Sequence, residues 1–306
     1  MSCDLIYNPK DTDRTNMEKG LSLLRKLHPL LVLLILLFSP AAGEPTNKKS
    51  HFVLVHGACH GAWSWYKVST ILQSWGHNVT ALDMAASGVD PIEPKTISSA
   101  FQYFQPLTDF LAGLPSGERV VLVGHSFGGL GVAVAMEDFP EKISVGVFVA
   151  ASMPGPNLSL SAIGIEDEKQ RPPPLDNHYV YENGEDKPPT SYILGPLKLA
   201  KHLYQLSPPE DLTLAITLVR PLPLFEANNS RYKFTTERYG CVKRAFVVTE
   251  RDLLATKKFQ LWMIENNLPD ITVDIKGADH MAMASKPSDL AYQLQRIAQH
   301  FSLLDF

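Results

Sequence analysis

The sequence is poor in cysteine and has no cluster of positive charge. Its three cysteines, Cys3, Cys59 and Cys241, lie far apart, which excludes a disulfide framework and a four-ligand zinc site. The net charge of −4, without any run of Lys and Arg, gives no surface for polyphosphate, so nucleic acid is not an expected partner. The chemistry of the chain must come from other residues.

No apolar run is long enough for a stable membrane span. The longest, Leu30–Phe38, has nine residues, whereas a helix needs about 20 to cross a bilayer. A basic patch precedes this run and small residues follow it at Ser39–Gly43, an order typical of a secretory signal peptide. We therefore expect residues 1–50 to be an N-terminal extension that takes the protein into the secretory pathway or outside the cell.

Two questions about this extension stay open. Translation from Met17 instead of Met1 would give a shorter signal peptide, with cleavage after Ala41 or Gly43. An uncleaved hydrophobic extension on a cytoplasmic protein is the alternative interpretation. Acidic residues in the segment argue against a plastid transit peptide.

From residue 51 onward, short apolar runs alternate with helix-like stretches. The predicted strands are His51–Val55, Asn78–Leu82, Val120–Val123, Val145–Val149, Ala245–Val248 and Ile271–Ile275. The predicted helices are Trp65–Ser74, Tyr103–Gly113, Leu130–Asp138, Thr256–Asn266 and Pro287–His300. Apolar strands without a polar face are typical of a parallel sheet covered on both sides. The pattern predicts an α/β fold with one doubly wound, mostly parallel sheet over residues 51–306.

One segment interrupts this alternation. Residues 154–224 contain twelve of the 23 prolines and few strand-like runs. The strand pattern resumes after the segment and completes the same sheet. We therefore interpret residues 154–224 as a cap inserted into the domain.

The motif Gly124-His125-Ser126-Phe127-Gly128 follows a predicted strand and precedes a predicted helix. In this setting G-x-S-x-G is typical of a nucleophile elbow, a strained turn that holds a serine hydroxyl above the carboxyl edge of a sheet. A glycine-rich turn that only packs the helix on the strand would not need a serine at its tightest point. We interpret Ser126 as a catalytic nucleophile.

A serine nucleophile needs a general base, and the base needs a carboxylate that orients it. In hydrolases with this elbow, the chain order is nucleophile, acid, histidine. His280 follows the strand Ile271–Ile275 and would reach the same sheet edge as Ser126, whereas His300 lies near the end of an amphipathic helix. We expect His280 to be the base.

The acid is expected in the loop after Ala245–Val248. Asp252 is preferred because the loop carries its carboxylate past the strand end, and Glu250 is the alternative. Asp279 is set aside because its side chain would point away from the ring of its neighbour. Asp83 precedes the nucleophile and is expected to brace a loop.

The loop His56–Gly61, after the first strand, is expected to help stabilise the negative charge that the reaction creates. Acyl transfer builds negative charge on a carbonyl oxygen, and two backbone N–H donors stabilise it by about 3 kcal/mol each. We assign this oxyanion hole to Ala58 and Phe127, and we expect Gly57 to let the substrate approach closely. His60 is interpreted as a packed or hydrogen-bonded residue, because no second pair of ligands stands at a metal-binding spacing.

Five longer motifs resemble those of the plant methylesterase family of the α/β-hydrolase superfamily, which includes salicylate and jasmonate methyl esterases, polyneuridine aldehyde esterase and related hydroxynitrile lyases. The motifs are HFVLVHGACHGAW at 51–63, LDMAASG at 82–88, GHSFGG at 124–129, LSPPEDL at 206–212 and KGADHM at 276–281. The likeness runs from about His51 to Phe301. It implies an α/β-hydrolase fold and a serine carboxylesterase that needs no metal or other cofactor.

Three positions separate esterases from lyases in this family. The resemblance implies threonine at position 57 and lysine at position 281 in a lyase, where this chain has Gly57 and Met281. It also implies an acidic residue where this chain has His125. We expect Gly57 and Met281 to border the substrate pocket, and the cap with the aromatic residues of Phe101–Phe104 to complete an apolar pocket.

The resemblance thus implies hydrolysis of small methyl esters, of the methyl salicylate, methyl jasmonate or methyl indole-3-acetate type, to the free acid and methanol through an acyl-enzyme. Two alternatives stay open, a hormone-binding receptor-like hydrolase and a hydroxynitrile lyase. An epoxide hydrolase or dehalogenase would need aspartate at position 126. No motif determines which ester is preferred. The oligomeric state is equally open, and a homodimer is one of the possibilities.

Overall fold

The central feature of the structure is a parallel sheet. The computed structural model describes residues 49–225 and 233–303, so the predicted leader lies outside the described residues. The strands are β1 (His51–Val55), β2 (Asn78–Leu82), β3 (Val120–His125), β4 (Ile143–Val149), β5 (His178–Val180), β6 (Ser191–Ile193), β7 (Leu222–Pro223), β8 (Arg244–Thr249) and β9 (Ile271–Ile275). Six of them form one sheet in the order β2-β1-β3-β4-β8-β9, and every neighbouring pair is parallel.

Helices flank this sheet. They are α1 (Tyr66–Ser74), α2 (Ala100–Tyr103), α3 (Gln105–Ala112), α4 (Gly128–Asp138), α5 (Leu160–Glu168), α6 (Pro196–Lys198), α7 (Pro209–Leu218), α8 (Lys257–Asn266), α9 (Ala282–Ser285) and α10 (Pro287–Ser302). The prediction of an α/β fold with one mostly parallel sheet is confirmed. Among the described residues, no helix has the length and apolar character that a membrane crossing requires.

Burial follows the sequence pattern closely. All residues of β3 are buried, as are all but one of β4, because strands in the middle of the sheet are covered on both faces. Helix α10 instead buries one stripe and exposes its other face. The stripe is Leu290, Ala291, Leu294, Ile297, Ala298 and Phe301.

The strand order places the functional loops together. From β1 the chain turns to β2 on one side of the sheet and then to β3 on the other. Loops at the carboxyl ends of β1 and β3 therefore diverge around a crevice, which is where open α/β sheets bind their ligands. The loop His56–Gly61 follows β1, and Ser126 follows β3.

The segment between β4 and β8 has its own small architecture. It contains α5, α6 and α7, together with a three-stranded antiparallel sheet of β5, β6 and β7. After this segment, β8 pairs directly with β4. The central sheet is therefore continuous across the insertion.

The stretch predicted as one helix, Tyr103–Gly113, is two helices that meet at Phe104. Pro106 explains the break, because its nitrogen cannot donate to the carbonyl of Gln102 and its ring would clash with that carbonyl. The single-helix prediction is wrong at this point.

Gly128 permits a close approach of α4 to β1. A Cβ at this position would lie 2.6 Å from the carbonyl oxygen of His56 and 2.8 Å from that of Val55. We expect Gly128→Ala to lower the free energy of unfolding by about 1–3 kcal/mol, because backbone cannot move aside as a side chain can. Urea denaturation measures this.

The matched control is Gly164→Ala in α5, where an added Cβ meets nothing within 4 Å. It should stabilise the protein by up to about 1 kcal/mol through helix propensity. Equal changes in the free energy of unfolding of the two variants would contradict the packing explanation.

Candidate active site

Ser126 lies in the turn between β3 and α4 and has a strained backbone. Its φ of +52° lies in the left-handed region, which costs a residue other than glycine about 1–3 kcal/mol. The backbone around it holds it there: its N–H donates to Val149 O at 3.2 Å, and its carbonyl accepts from the N–H groups of Gly129 and Ser152, both at 3.1 Å. The turn places Ser126 in the wall of a cavity.

His280 and Asp252 meet at the same edge of the sheet. His280 follows β9 and Asp252 follows β8, and Nδ1 of the ring lies 2.7 Å from Oδ2 of the carboxylate. Both side chains are buried. Because an ionised carboxylate can only accept, the contact keeps the proton on Nδ1 and leaves Nε2 as an acceptor. That tautomer is the one a general base requires.

The carboxylate of Asp252 is held by four further donors, the most distant being Gln260 Nε2, at 3.4 Å from Oδ2. Thr249 Oγ1 donates to Oδ2 at 2.9 Å. The backbone N–H groups of Leu254 and Ala255 donate to Oδ1 at 2.8 Å each. The carboxylate therefore has a fixed orientation before any substrate arrives.

The other acidic residues considered from the sequence serve different loops. Glu250 accepts from the N–H of Gly277 at 2.9 Å and does not contact the ring of His280. Asp83 accepts from the N–H groups of Ala62 and Val89, at 2.6 and 3.1 Å. Asp83 thus braces two loops, as expected.

Asp279 joins the histidine loop to the insertion. Its fully buried carboxylate accepts from Leu206 N at 2.9 Å and from Ser207 Oγ at 2.8 Å. Its other oxygen accepts from Met281 N at 3.0 Å. Asp279 therefore links the loop that carries His280 to the cap, a role that the sequence did not indicate.

His125 packs against the loop that carries His280. Its Nε2 donates to the carbonyl oxygen of His280 at 2.9 Å, and the two ring centroids lie 4.7 Å apart. Burial, and then the charge that His280 can carry, hold the pKa of His125 well below its ordinary value. His125 is therefore neutral, and its Nδ1 has no hydrogen-bond partner among the described residues.

Gly57 faces His125 and the nucleophile. A Cβ at position 57 would lie 2.9 Å from His125 Nδ1 and 3.0 Å from Ser126 Cβ. Any larger residue would therefore press on both side chains. Gly57 also lines the cavity.

The predicted oxyanion-hole residues, Ala58 and Phe127, both line the cavity. Among the hydrogen bonds of the described residues, neither backbone N–H has an acceptor. The loop that carries Ala58 is fixed by His56, whose Nε2 accepts from Met84 N at 3.1 Å while Nδ1 donates to Gly57 O at 2.8 Å. Two free donors thus stand in the cavity wall on a rigid support.

His60 is a hydrogen-bonded loop residue. Its Nδ1 donates to Ala58 O and its Nε2 accepts from the hydroxyl of Tyr204, both at 2.8 Å. Burial lowers the pKa of His60 to about 4, so the ring is neutral. Among the described residues, no group of three His, Cys, Asp or Glu side chains could hold a metal ion.

The cavity has a volume of about 650 Å³, with Ser126 and His280 in its wall. Much of the remaining wall comes from the insertion, which contributes apolar side chains such as Ile163 and Leu194.

Four residues expected near the pocket do not line this cavity: Phe101, Tyr103, Phe104 and Met281. Met281 is buried in the core, and Phe101 is exposed at the surface. The rings of Tyr103 and Phe104 each pack 5.6 Å from that of Phe127, so they support the elbow from behind. The expectation fails because side-chain direction depends on the surrounding packing rather than on position in a motif.

Three charged residues of the insertion, Asp167, Arg171 and Lys198, also line the cavity. The sequence pattern predicts an apolar pocket, so these three charges are not expected in its wall. No local motif could have done so, because the chain path through the insertion decides which of its charges face inward.

The neutral state of buried His60 predicts a pH dependence of stability. The unfolded ring binds a proton near pH 6.5, whereas the folded ring binds one only near pH 4. The free energy of unfolding is therefore unaffected by this residue above pH 6.5, and it decreases as pH falls toward 4, because only the unfolded state gains the proton. Between pH 8 and pH 5 this residue should account for about 2 kcal/mol of the loss. Urea unfolding of His60→Gln should show a correspondingly weaker pH dependence.

The exposed histidine of α10 provides the control. His300→Gln should keep the pH dependence of the unsubstituted protein. A His60→Gln variant whose stability falls just as steeply would show that the proton is taken up elsewhere.

Comparisons with known proteins identify the family. Residues 52–293 match the model of the Alpha/beta hydrolase family. Methyl jasmonate esterase 1 of Vitis vinifera is 50% identical over 259 residues, which cover 84% of this chain and 99% of that protein. Salicylic acid-binding protein 2 of Nicotiana tabacum is 44% identical over 256 residues, covering 82% and 98%.

Solved structures agree. That of tomato Methylketone Synthase I complexed with 2-tridecanone has a TM-score of 0.79 and 48% identity, covering 83% of this chain and 99% of the other. These comparisons confirm the resemblance to plant methylesterases that the motifs indicate. The chain belongs to the alpha/beta hydrolase family and, within it, to the plant methylesterases, a group of carboxylic ester hydrolases.

Proposed function

We propose that this chain hydrolyses methyl esters of small aromatic or cyclic carboxylic acids, with Ser126 as the nucleophile and His280 as the general base. The observation that carries the proposal is the buried bond between His280 and Asp252, in a site whose cavity is lined by a serine on a strained turn. The names of the relatives, a methyl jasmonate esterase and a salicylic acid-binding protein, support methyl jasmonate and methyl salicylate as candidates.

The first half of the reaction forms an acyl-enzyme. His280 Nε2 takes the proton from Ser126 Oγ while Oγ bonds to the ester carbonyl carbon. The tetrahedral intermediate collapses as the imidazolium returns that proton to the methoxy oxygen. Methanol leaves, and the acyl group stays on Ser126.

The second half releases the acid. Water enters the space that methanol vacated, and His280 Nε2 takes one of its protons as its oxygen bonds to the acyl carbon. Collapse of this second intermediate breaks the bond to Ser126 Oγ, which recovers its proton from the imidazolium. The products are the free acid and methanol, and the enzyme is restored.

Two groups stabilise charge during these steps. The N–H groups of Ala58 and Phe127 would donate to the oxyanion, at about 3 kcal/mol for each donor. Asp252 stabilises the imidazolium that forms transiently on His280 and keeps the ring oriented. Since its own donors fix this carboxylate, little reorganisation is needed as charge develops.

Hydrolysis of methyl salicylate, methyl jasmonate and methyl indole-3-acetate tests the proposal, with the free acid measured by chromatography. We expect at least one to be hydrolysed, and we expect Ser126→Ala to lower kcat by roughly 10⁶-fold. Asp252→Asn should lower it by roughly 10⁴-fold, because the ring would hold the wrong tautomer.

Ser74→Ala, at the exposed end of α1, is the matched serine control and should retain full activity. Failure to hydrolyse any of the three esters would overturn the proposal. Tight binding of the acids without turnover would favour the receptor-like alternative, and cyanide release from mandelonitrile would favour the lyase.

We also propose that the N-terminal segment directs the protein into the secretory pathway. The order of basic patch, apolar run and small residues supports this, and the family match begins only at residue 52. Sequencing the N-terminus of the native protein should give a start near Glu44. A retained Met1 or Met17 would contradict export.

A further inference from the structure

The cavity has a charged section in its wall, made by the insertion. Asp167 in α5, Arg171 just beyond it and Lys198 at the end of α6 all line the cavity. Hydrolysis of an ester needs none of these charges, because the proposed reaction runs on Ser126 and His280. They are therefore available to recognise another part of the substrate.

Lys198 is a buried cation without a close counter-ion. It is only 3% exposed, and its Nζ donates to the carbonyl oxygens of Pro172 at 3.2 Å and Pro173 at 2.8 Å. No carboxylate of the described residues lies within 4 Å of its Nζ. An ammonium has three N–H donors, so the two carbonyls leave one donor for a ligand.

The nearby carboxylate is already engaged. Asp167 Oδ2 accepts from Arg171 Nε at 2.7 Å and also from Arg171 Nη2. Arg171 and Asp167 therefore neutralise each other, and Lys198 leaves this section of the wall with a net charge of +1. Burial, and then the neighbouring charge of Arg171, lower the pKa of Lys198, and the charge of Asp167 offsets only part of this effect. A bound anion would oppose both effects.

We propose that Lys198 forms a subsite for a carboxylate at the far end of the acyl group, so that methyl half-esters of dicarboxylic acids are substrates. The inference rests on the proposed esterase function. A carboxylate oxygen would accept the remaining N–H of the ammonium in a charge-assisted hydrogen bond, which is stronger in a cavity wall than in water. The apolar lining around Ile163 and Leu194 would hold the methylene chain between the two ends.

The test compares esters of equal chain length that differ in terminal charge. Monomethyl succinate, adipate and suberate are paired with methyl butanoate, hexanoate and octanoate, and kcat/KM is measured for each. For the preferred length, we expect Lys198→Met to lower the ratio of half-ester to neutral-ester kcat/KM by about tenfold or more. The neutral ester alone should be affected little.

Lys201→Met is the matched control, because Lys201 is exposed in the next helical turn and does not line the cavity. It should leave the ratio unchanged. Lys198→Gln separates the charge from the support of the loop, because its amide can still donate to the proline carbonyls. If Lys198 has only a structural role, this variant should keep the ratio of half-ester to neutral-ester kcat/KM. If Lys198 binds the carboxylate, the ratio should fall.

The outcomes separate the two proposals. A protein that hydrolyses neither these esters nor methyl salicylate, methyl jasmonate and methyl indole-3-acetate contradicts the esterase function itself. One that hydrolyses any of those three esters but none of the straight-chain esters overturns only the carboxylate subsite. Hydrolysis of neutral esters, with a ratio that Lys198→Met does not change, overturns only the carboxylate subsite. A parallel loss for both classes, with a lower melting temperature, would likewise assign Lys198 to structure and overturn the subsite.

Discussion

A hydrogen bond of 2.7 Å between His280 and Asp252 is the contact on which the rest of the site depends. Both groups are closed off from solvent, so removal of either would leave a buried polar group without its partner. The bond fixes the tautomer of the ring and holds the loops after β8 and β9 in one arrangement. Thr249, Leu254 and Ala255 then hold the carboxylate in place.

The insertion is coupled to this pair as well as covering it. Asp279, next to His280, accepts hydrogen bonds from the backbone of Leu206 and the side chain of Ser207 in the cap. A second tie joins Asp211 of α7 to Lys67 and Tyr66 of α1. The cap is therefore bound both to the loop that carries His280 and to α1.

The sheet could be predicted, and the candidate site residues could be named, because both follow from local signals in the sequence. Buried parallel strands are continuous apolar runs, and the elbow, the acid and the histidine each follow such a run in a known chain order. The helix break at Phe104 also has a local signal, since Pro106 cannot donate to the carbonyl of Gln102. Met281 was misplaced because its motif is local, whereas the packing that turns its side chain into the core comes from several distant segments.

From the amino-acid order alone come the fold class, the family and the candidates for the three reacting side chains, since strand ends in a parallel sheet meet at one edge. Only the folded chain decides between Asp252 and Glu250, because that choice depends on which carboxylate reaches the ring. It also decides that Lys198 lines the cavity and that its ammonium donates to the carbonyls of Pro172 and Pro173. Contacts between residues far apart in the chain, such as these, have no periodicity or spacing that a sequence can display.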